Sequence, residues 1–527
     1  MDVPVKEMNA LAVLYGGALH EYAFQPLAGG KNAFICALQR AGAFRGLTKI
    51  VLLVRDDFDE KLLPSFVDRI ALVRSESWNT KKLLDTIVRE GEAFDLIYFA
   101  WADCPLLDVE LAGALEARHR RYAAEYTYQD GLPGGLAPEL LVPATAVFLQ
   151  KLNAGAENPV ERDALFSVLQ KDINSFDIET ELSSVDLRSH RLNLAADSKR
   201  NLLLIERCFA LPWAGYQSAQ ALVLQRPELL RTLPAFFPIM VTNSCPQKCA
   251  HCPHGPEGGG GAKNFMPLER FKIIVGKIAA WTDDAVIDLS LWGELAMHPQ
   301  KIELIKAVLE YESLSLVIET CGVGWSEDDV KALSQLDTSA LSWIVSLDTN
   351  DPAEYARIHG KGFVEAVNFV HTLQHLVQEP RSEEGGGGIK KTKVYVQALR
   401  CKGKEDDIEK FYRYWKEQDV HVIVQKYDYF CTALPDLRAG DISPVLRQPC
   451  WHIMRDMPIL IDGTVVSCRE AIVQTDAAER EAWTLGNIFN ETPDSIWTKG
   501  AWRYKKQCEG EYGSFCDKCD EYYTYNF

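Results

Sequence analysis

The chain has 527 residues, 47% of them hydrophobic, and a formal net charge of −18 at pH 7. That length suits roughly two to four domains with real cores, and the acidic balance argues against nucleic-acid partners, whose phosphates need a basic stripe. With no run of 18 apolar residues and no charged-then-apolar N-terminus with a cleavage site, a soluble, unexported, cytoplasmic protein with no membrane partner is expected.

In chain order, the first segment reads as strand Ala10–Tyr15, helix Lys31–Ala41, strand Lys49–Val54, helix Asn79–Arg89, strand Phe94–Ala100 and helix Val109–Tyr126. Apolar strands alternating with amphipathic helices predict a parallel sheet covered on both faces. This α/β domain is expected over residues 1–215, and Pro227 to Pro238 reads as a proline-punctuated junction.

The alternation restarts in a second expected domain, 236–440. Strands are predicted at Ile239–Asn243, Val286–Leu291, Leu314–Thr320, Leu341–Leu347, Lys393–Leu399 and Val420–Gln425. Helices fit between them at Leu268–Trp281, Lys301–Glu310, Glu327–Leu336, Phe363–Val377 and Asp406–Gln418. Six strand–helix units in about 190 residues predict a barrel or part-barrel, with its chemistry at the C-terminal strand ends. Two glycine runs, Gly258–Gly261 and Gly385–Gly388, read as flexible spacers, and neither carries a P-loop pattern.

The fourteen cysteines crowd toward the C-terminal half, too dilute for a disulfide framework and suited to metal ligation. Cys245, Cys249 and Cys252 stand in a C-x3-C-x2-C run just after the first strand of the second domain. Three thiolates on one loop can hold an iron–sulfur cluster with one iron left open. His251 or His254 could instead close a zinc site as a fourth ligand. After Ser443 the chain turns to short strands, with the pairs Cys450/Cys468 and Cys516/Cys519 and a further Cys508. Pro458–Cys468 reads as a hairpin about an Asp-Gly turn, which would bring Cys450 and Cys468 together. Four such thiolates suit one closed [4Fe–4S] cluster, and equally a zinc ribbon.

The cysteine loop followed by six β/α units resembles the radical S-adenosylmethionine (radical SAM) superfamily over roughly residues 237–440. Leu291-Trp292-Gly293-Glu294, Met297-His298-Pro299, Ile344–Asp348 and Tyr355–Gly360 resemble that family's further motifs. The resemblance implies that Cys245, Cys249 and Cys252 hold a [4Fe–4S] cluster whose open iron takes S-adenosylmethionine (SAM). Gly293 and Glu294 would then meet the SAM amino group, His251 would flank the adenine, and Ser346 would face the cofactor. Asp348 and Gln397 lie on predicted strands facing the same mouth. It further implies reductive cleavage of SAM, hydrogen abstraction from a substrate, and an external electron donor such as flavodoxin or ferredoxin.

Residues 441–527 resemble the SPASM and twitch extensions of that family, which carry auxiliary clusters. The chain lacks the further cysteines of full SPASM domains, so the resemblance implies one auxiliary [4Fe–4S] cluster on Cys450, Cys468, Cys516 and Cys519, serving as electron acceptor. Cys508 could be a spare or could replace one of the four.

In the first domain, Asp103-Cys-Pro105-Leu resembles the Asp-x-Pro-Leu turn of nucleotidyltransferases, where the Asp binds metal. Asp197 resembles a second metal-binding Asp, and Gly29-Gly30-Lys31 an early Gly-Lys turn. The loop Leu14–Ala23 departs from that pattern: it lacks the basic residue that steadies a triphosphate and carries Glu21. A degenerate, binding version of the fold is expected, in which Asp103 serves as a helix cap. The three-part order resembles the spiro-SPASM proteins. A peptide or a carbohydrate-like molecule fits as substrate; an active sugar nucleotidyltransferase and a zinc-organised binding protein are the alternatives.

Overall fold

The computed structural model describes residues 8–64, 70–155, 157–213, 215–253, 264–378, 392–473 and 477–524. Both glycine runs and His254 lie outside them. The chain divides into two compact units, 1–232 and 233–527. Among the described residues, no helix is long and apolar enough to cross a membrane.

The first unit holds one seven-stranded sheet: β1 (Ala10–Gly16), β2 (Leu47–Arg55), β3 (Ile70–Ser75), β4 (Leu96–Trp101), β5 (Tyr126–Asp130), β6 (Glu139–Leu141) and β7 (Ile178–Leu182), in the order β3-β2-β1-β4-β6-β5-β7. β1 is buried along its whole length, as a strand parallel to both neighbours and covered on both faces must be. The all-parallel expectation is corrected, because β6 runs antiparallel to β4 and β5. The helix predicted over Val109–Tyr126 ends at Arg121. Ala123 takes a φ of 50°, and the chain turns into β5. β3 escaped the sequence reading because it is nowhere fully buried, so its apolar pattern is broken. Asn32, Asn79 and Asp108 accept backbone N–H groups at the starts of the helices Ala33–Ala41, Thr80–Gly91 and Val109–Arg121. The cap is therefore Asp108, and the expectation that Asp103 performs this role is corrected.

In the second unit, β8 (Phe236–Pro238), β9 (Ala285–Asp288), β10 (Leu314–Thr320), β11 (Leu341–Ser346), β12 (Lys393–Arg400) and β13 (His421–Lys426) lie side by side in chain order. All five pairings are parallel, giving an open part-barrel. Helices Leu268–Thr282, Lys301–Leu309, Glu327–Leu333, Phe363–Gln378 and Glu405–Glu417 fill the crossovers. The first strand falls earlier than the predicted Ile239–Asn243, because beyond Pro238 the chain finds a different partner. Met240 N–H donates to Ile459 O (2.8 Å) and Met457 N–H to Phe236 O (2.9 Å). The C-terminal segment thus pairs with the exposed edge of β8, which would otherwise offer unpaired backbone groups. Val465, Leu485, Ile488, Ile496 and Trp497 share one apolar core with Phe237, Ile239 and the barrel helices. The predicted hairpin forms only in part: Ile459 bridges Val465, whereas β14 (Thr464–Val466) pairs chiefly with β15 (Thr484–Asn487).

Candidate functional site

At the C-terminal ends of the six strands lies a cavity of about 650 Å³ lined by Cys245, Cys249, Cys252, Gly293, Glu294 and Ser346, among others. The cysteine loop is clamped from across the barrel. Lys248 N–H donates to His359 O (3.0 Å) and Ala250 N–H to Ile358 O (2.9 Å), while Gln247 Nε2 donates to Lys361 O (2.8 Å). The Tyr355–Gly360 run is therefore the loop's scaffold. Burial pushes the Cys245 thiol up to about 11 and Cys249 higher still, and neighbouring thiols raise both. Thiols crowded together resist deprotonation until positive charge arrives, a donor set that fits a metal centre.

Cys249 Sγ lies 3.1 Å from His359 Nδ1, whose Nε2 stands 2.8 Å from Asp348 Oδ2. His251 Nε2 is 3.7 Å from the same carboxylate, and its ring meets His359 edge-on. Burial works to raise the Asp348 carboxyl, but His359 and His251 hold it below the usual range. Leu399 N–H adds a 2.6 Å hydrogen bond to Asp348.

Gly293 follows Trp292, itself at φ 58°. A Cβ at Gly293 would fall 2.0 Å from Thr242 O, so a glycine is required where this turn crosses the chain leading to Cys245. Glu294 is buried and accepts from Thr320 Oγ1 (2.7 Å), Cys321 N–H (2.8 Å) and Ala296 N–H (3.1 Å). The Cys321 thiol adds a further partner, so the carboxylate is held in place from several sides at the cavity wall. Burial raises its carboxyl.

Ser346 Oγ donates to Glu319 Oε1 (2.9 Å), and Gln397 Nε2 donates to the same oxygen (2.8 Å). The sequence reading named Ser346, Asp348 and Gln397, and quoted the Tyr355–Gly360 run that contains His359 without giving that histidine a role; it missed Glu319, an acid in a strand whose only signal was alternation. Farther along the cavity stand Asp288, Lys426, Asp428, Arg469 and Glu521. Burial pushes Asp288 up to about 6. Lys426 pairs with Asp520 (3.0 Å) and Glu521, and Arg469 with Glu470 (2.9 Å) and Asp428 (3.5 Å).

The Cys468 thiol has Cys450, Cys516 and Cys519 for neighbours. Burial raises Cys450 and Cys468 strongly, with the other thiols adding to it. Gln507 ties two of the segments, accepting from Cys450 N–H (2.8 Å) and donating to Cys516 Sγ (3.5 Å). Gln507 thus reaches the thiols from helix Ala501–Cys508, next to Cys508, and Arg503 of the same helix acts on Cys516 by its charge. Cys431, in the loop after β13, has its thiol pushed up by the neighbouring Cys519 thiol and by burial. No cysteine pair or motif spacing marked it in the sequence.

In the first unit, the two singled-out carboxylates also meet, around an arginine. Arg162 donates to both oxygens of Asp103 (2.8 and 2.6 Å) and to Asp197 Oδ2 (2.7 Å), with its guanidinium over the Trp101 ring at 4.1 Å. A side-chain cation holds the position between the two acids.

Residues 450–520 match the model of SPASM, an iron–sulfur cluster-binding domain. An uncharacterized protein of Treponema pallidum (strain Nichols) is 34% identical over 369 residues, 69% of this chain and 98% of that protein. Among solved structures, Streptococcus suis SuiB bound to precursor peptide SuiA is similar at 12% identity and TM-score 0.40, over 68% of this chain and 82% of that one. BtrN in complex with AdoMet and 2-DOIA is similar at 15% identity and TM-score 0.35, over 55% and 94%. The chain belongs to one family with the Treponema pallidum protein, and its residues 450–520 form a match to the SPASM iron–sulfur cluster-binding domain.

Proposed function

We propose that Cys245, Cys249 and Cys252 hold a [4Fe–4S] cluster and that the adjoining cavity seats SAM and a substrate together. The observation that carries this reading is the convergence of three crowded thiols with Gly293, Glu294 and Ser346 on one cavity. When bound, cluster and SAM supply the reactivity: reductive cleavage to methionine and a radical that abstracts hydrogen from substrate. The chain's own residues bind, orient and shield. The Glu294 carboxylate, which lines the cavity, takes the SAM amine. The hydrogen-bonded group of Glu319, Ser346 and Gln397 offers fixed polar atoms to a ribose or a substrate hydroxyl. His359 orients Cys249, and the paired charges of Lys426, Arg469 and Glu521 present polar groups to the substrate.

The substrate class is a polar molecule, either a peptide side chain or a carbohydrate-like alcohol, in keeping with a cavity whose far end is lined by paired charges and by Asp288. Cys450, Cys468, Cys516 and Cys519 hold an auxiliary [4Fe–4S] cluster. These four thiols would leave such a cluster no open iron, and it would supply a place for an electron to go. A donor such as flavodoxin or ferredoxin supplies the first electron. The N-terminal unit is not an active transferase, since Arg162 occupies the place between Asp103 and Asp197.

The test is anaerobic reconstitution with iron and sulfide, followed by dithionite and SAM. Formation of 5′-deoxyadenosine, abolished in Cys249→Ala, is the expected result. A colourless, zinc-containing protein, or full product yield from that variant, would overturn the reading.

A further inference from the structure

Five thiols, not four, meet in the C-terminal part of the second unit. Cys431 is buried, and the turn that carries it lies against both other cysteine segments: Tyr429 reaches the backbone of Lys518, beside Cys519, and Asp428 stands 3.5 Å from Arg469, beside Cys468. The neighbouring Cys519 thiol and burial push the Cys431 thiol up. Cys450 is influenced by Cys519 and Cys516, and Cys468 by Cys450, Cys519 and Cys516. Cys431 and Cys450 thus approach one shared group of thiols. A buried cysteine kept only as a small hydrophobe packs among apolar side chains, whereas Cys431 faces thiols and a carboxylate.

Its backbone adds a second observation. Phe430, Cys431 and Thr432 have φ of 50°, 52° and 78°, three successive residues in a region L side chains avoid. The turn is held in place from several sides. Asp428 accepts from Phe430 N–H (2.7 Å), and the Tyr429 hydroxyl donates to the carbonyl of Lys518, between Cys516 and Cys519. Phe430 lines the cavity, and its ring meets Trp292 edge-on at 5.6 Å. The chain accepts an unfavourable conformation and, by doing so, brings this thiol to the others.

We propose that Cys431 is an iron ligand of the auxiliary centre, a fifth thiol able to hold the corner that Cys450 otherwise takes. The proposal rests on the reading of this site as an iron–sulfur centre. In the exchange, one iron–Cys450 sulfur bond is replaced by one iron–Cys431 sulfur bond. The Cys431 proton passes to the departing Cys450 thiolate, and no electron moves.

The test uses the full chain with Cys245, Cys249 and Cys252 changed to Ala, so that all iron belongs to the auxiliary site. This parent is expected to hold about four irons, the content of one cubane. If it holds none, the auxiliary-cluster reading itself fails. Into it go Cys431→Ala, Cys450→Ala and the double variant, each measured for iron, sulfide and the paramagnetic resonance spectrum of the reduced centre. Cys450→Ala is expected to keep most of the iron with altered g-values, and the double variant to lose it. The isosteric Cys450→Ser repeats the arm if the alanine variant does not fold, as judged by circular dichroism. The proposal is overturned if Cys431→Ala matches its parent in iron and spectrum and adds nothing to the loss caused by Cys450→Ala.

Discussion

The His359 imidazole lies between Cys249 and Asp348, 3.1 Å from the sulfur and 2.8 Å from the carboxylate. Asp348 is also within 3.7 Å of His251, so one buried acid organises both histidines beside the cysteine loop. His359→Phe removes a close partner of that buried acid, a loss worth about 1–3 kcal/mol. The expected outcome is a lower melting temperature of the anaerobic protein and a shifted reduction potential, since the polar ring beside the ligand sulfur is gone. His359→Gln, which keeps a polar group there, should recover part of the shift. Equal potentials in all three proteins would contradict the assignment.

Gly293→Ala sets a methyl group 2.0 Å from the Thr242 carbonyl oxygen. Backbone must move on one side or the other, at a cost of about 1–3 kcal/mol, and both sides lead to the site: Glu294 directly, Cys245 three residues beyond Thr242. Weaker SAM binding in equilibrium dialysis is expected, together with a lower melting temperature. Gly440→Ala, where a Cβ meets nothing within 4 Å, is the control and should leave both unchanged.

Arg162→Ala removes the cation shared by Asp103 and Asp197. Asp103 is buried, so the variant should be less stable by about 3–5 kcal/mol. The two carboxylates should then accept a divalent ion: added Mn²⁺ is expected to raise the melting temperature of the variant and not of the unchanged chain. The absence of any such difference would refute the reading of Arg162 as a built-in substitute for a metal.

Glu139, which accepts from the Tyr126 hydroxyl, has its carboxyl pushed up to about 7 by burial, with Asp163 adding to the rise. Below its ordinary value of 4.5 both folded and unfolded forms are protonated. Between there and about 7 the unfolded chain releases the proton first, so stability falls as pH rises through this window and levels off above it. Glu139→Gln should remove that slope. Relative to the unchanged chain it should gain up to roughly 3 kcal/mol at pH 8 and almost nothing at pH 4.5, as read by urea denaturation across pH.

Much of the second unit could be read from periodicity. β10 falls on its predicted bounds, and the helix following β8 begins at the predicted Leu268, because long apolar alternations have few other ways to bury themselves. β8 was misplaced since its edge pairs with residues more than two hundred positions away. β6, three residues long, left no pattern to read, and its antiparallel direction depends on neighbours rather than on its own composition.

At the site, Cys245, Cys249, Cys252, Gly293 and Glu294 were legible because their spacing along the chain is itself the signal. His359 was legible only as part of the Tyr355–Gly360 run, and Glu319 and Cys431 were not legible. These two come to the cavity or the thiols from a strand and a turn, and nothing local distinguishes either from a core residue.

By itself, the order of amino acids determined which thiols could reach one another through a short loop, and which segments would alternate as strand and helix. Those are consequences of chain connectivity and of side-chain periodicity over a few residues. Only the tertiary structure decided that an arginine stands between two acids, that an imidazole touches a cysteine sulfur, and that a fifth thiol joins four others. Such meetings depend on the packing of elements distant in sequence, which no local pattern encodes.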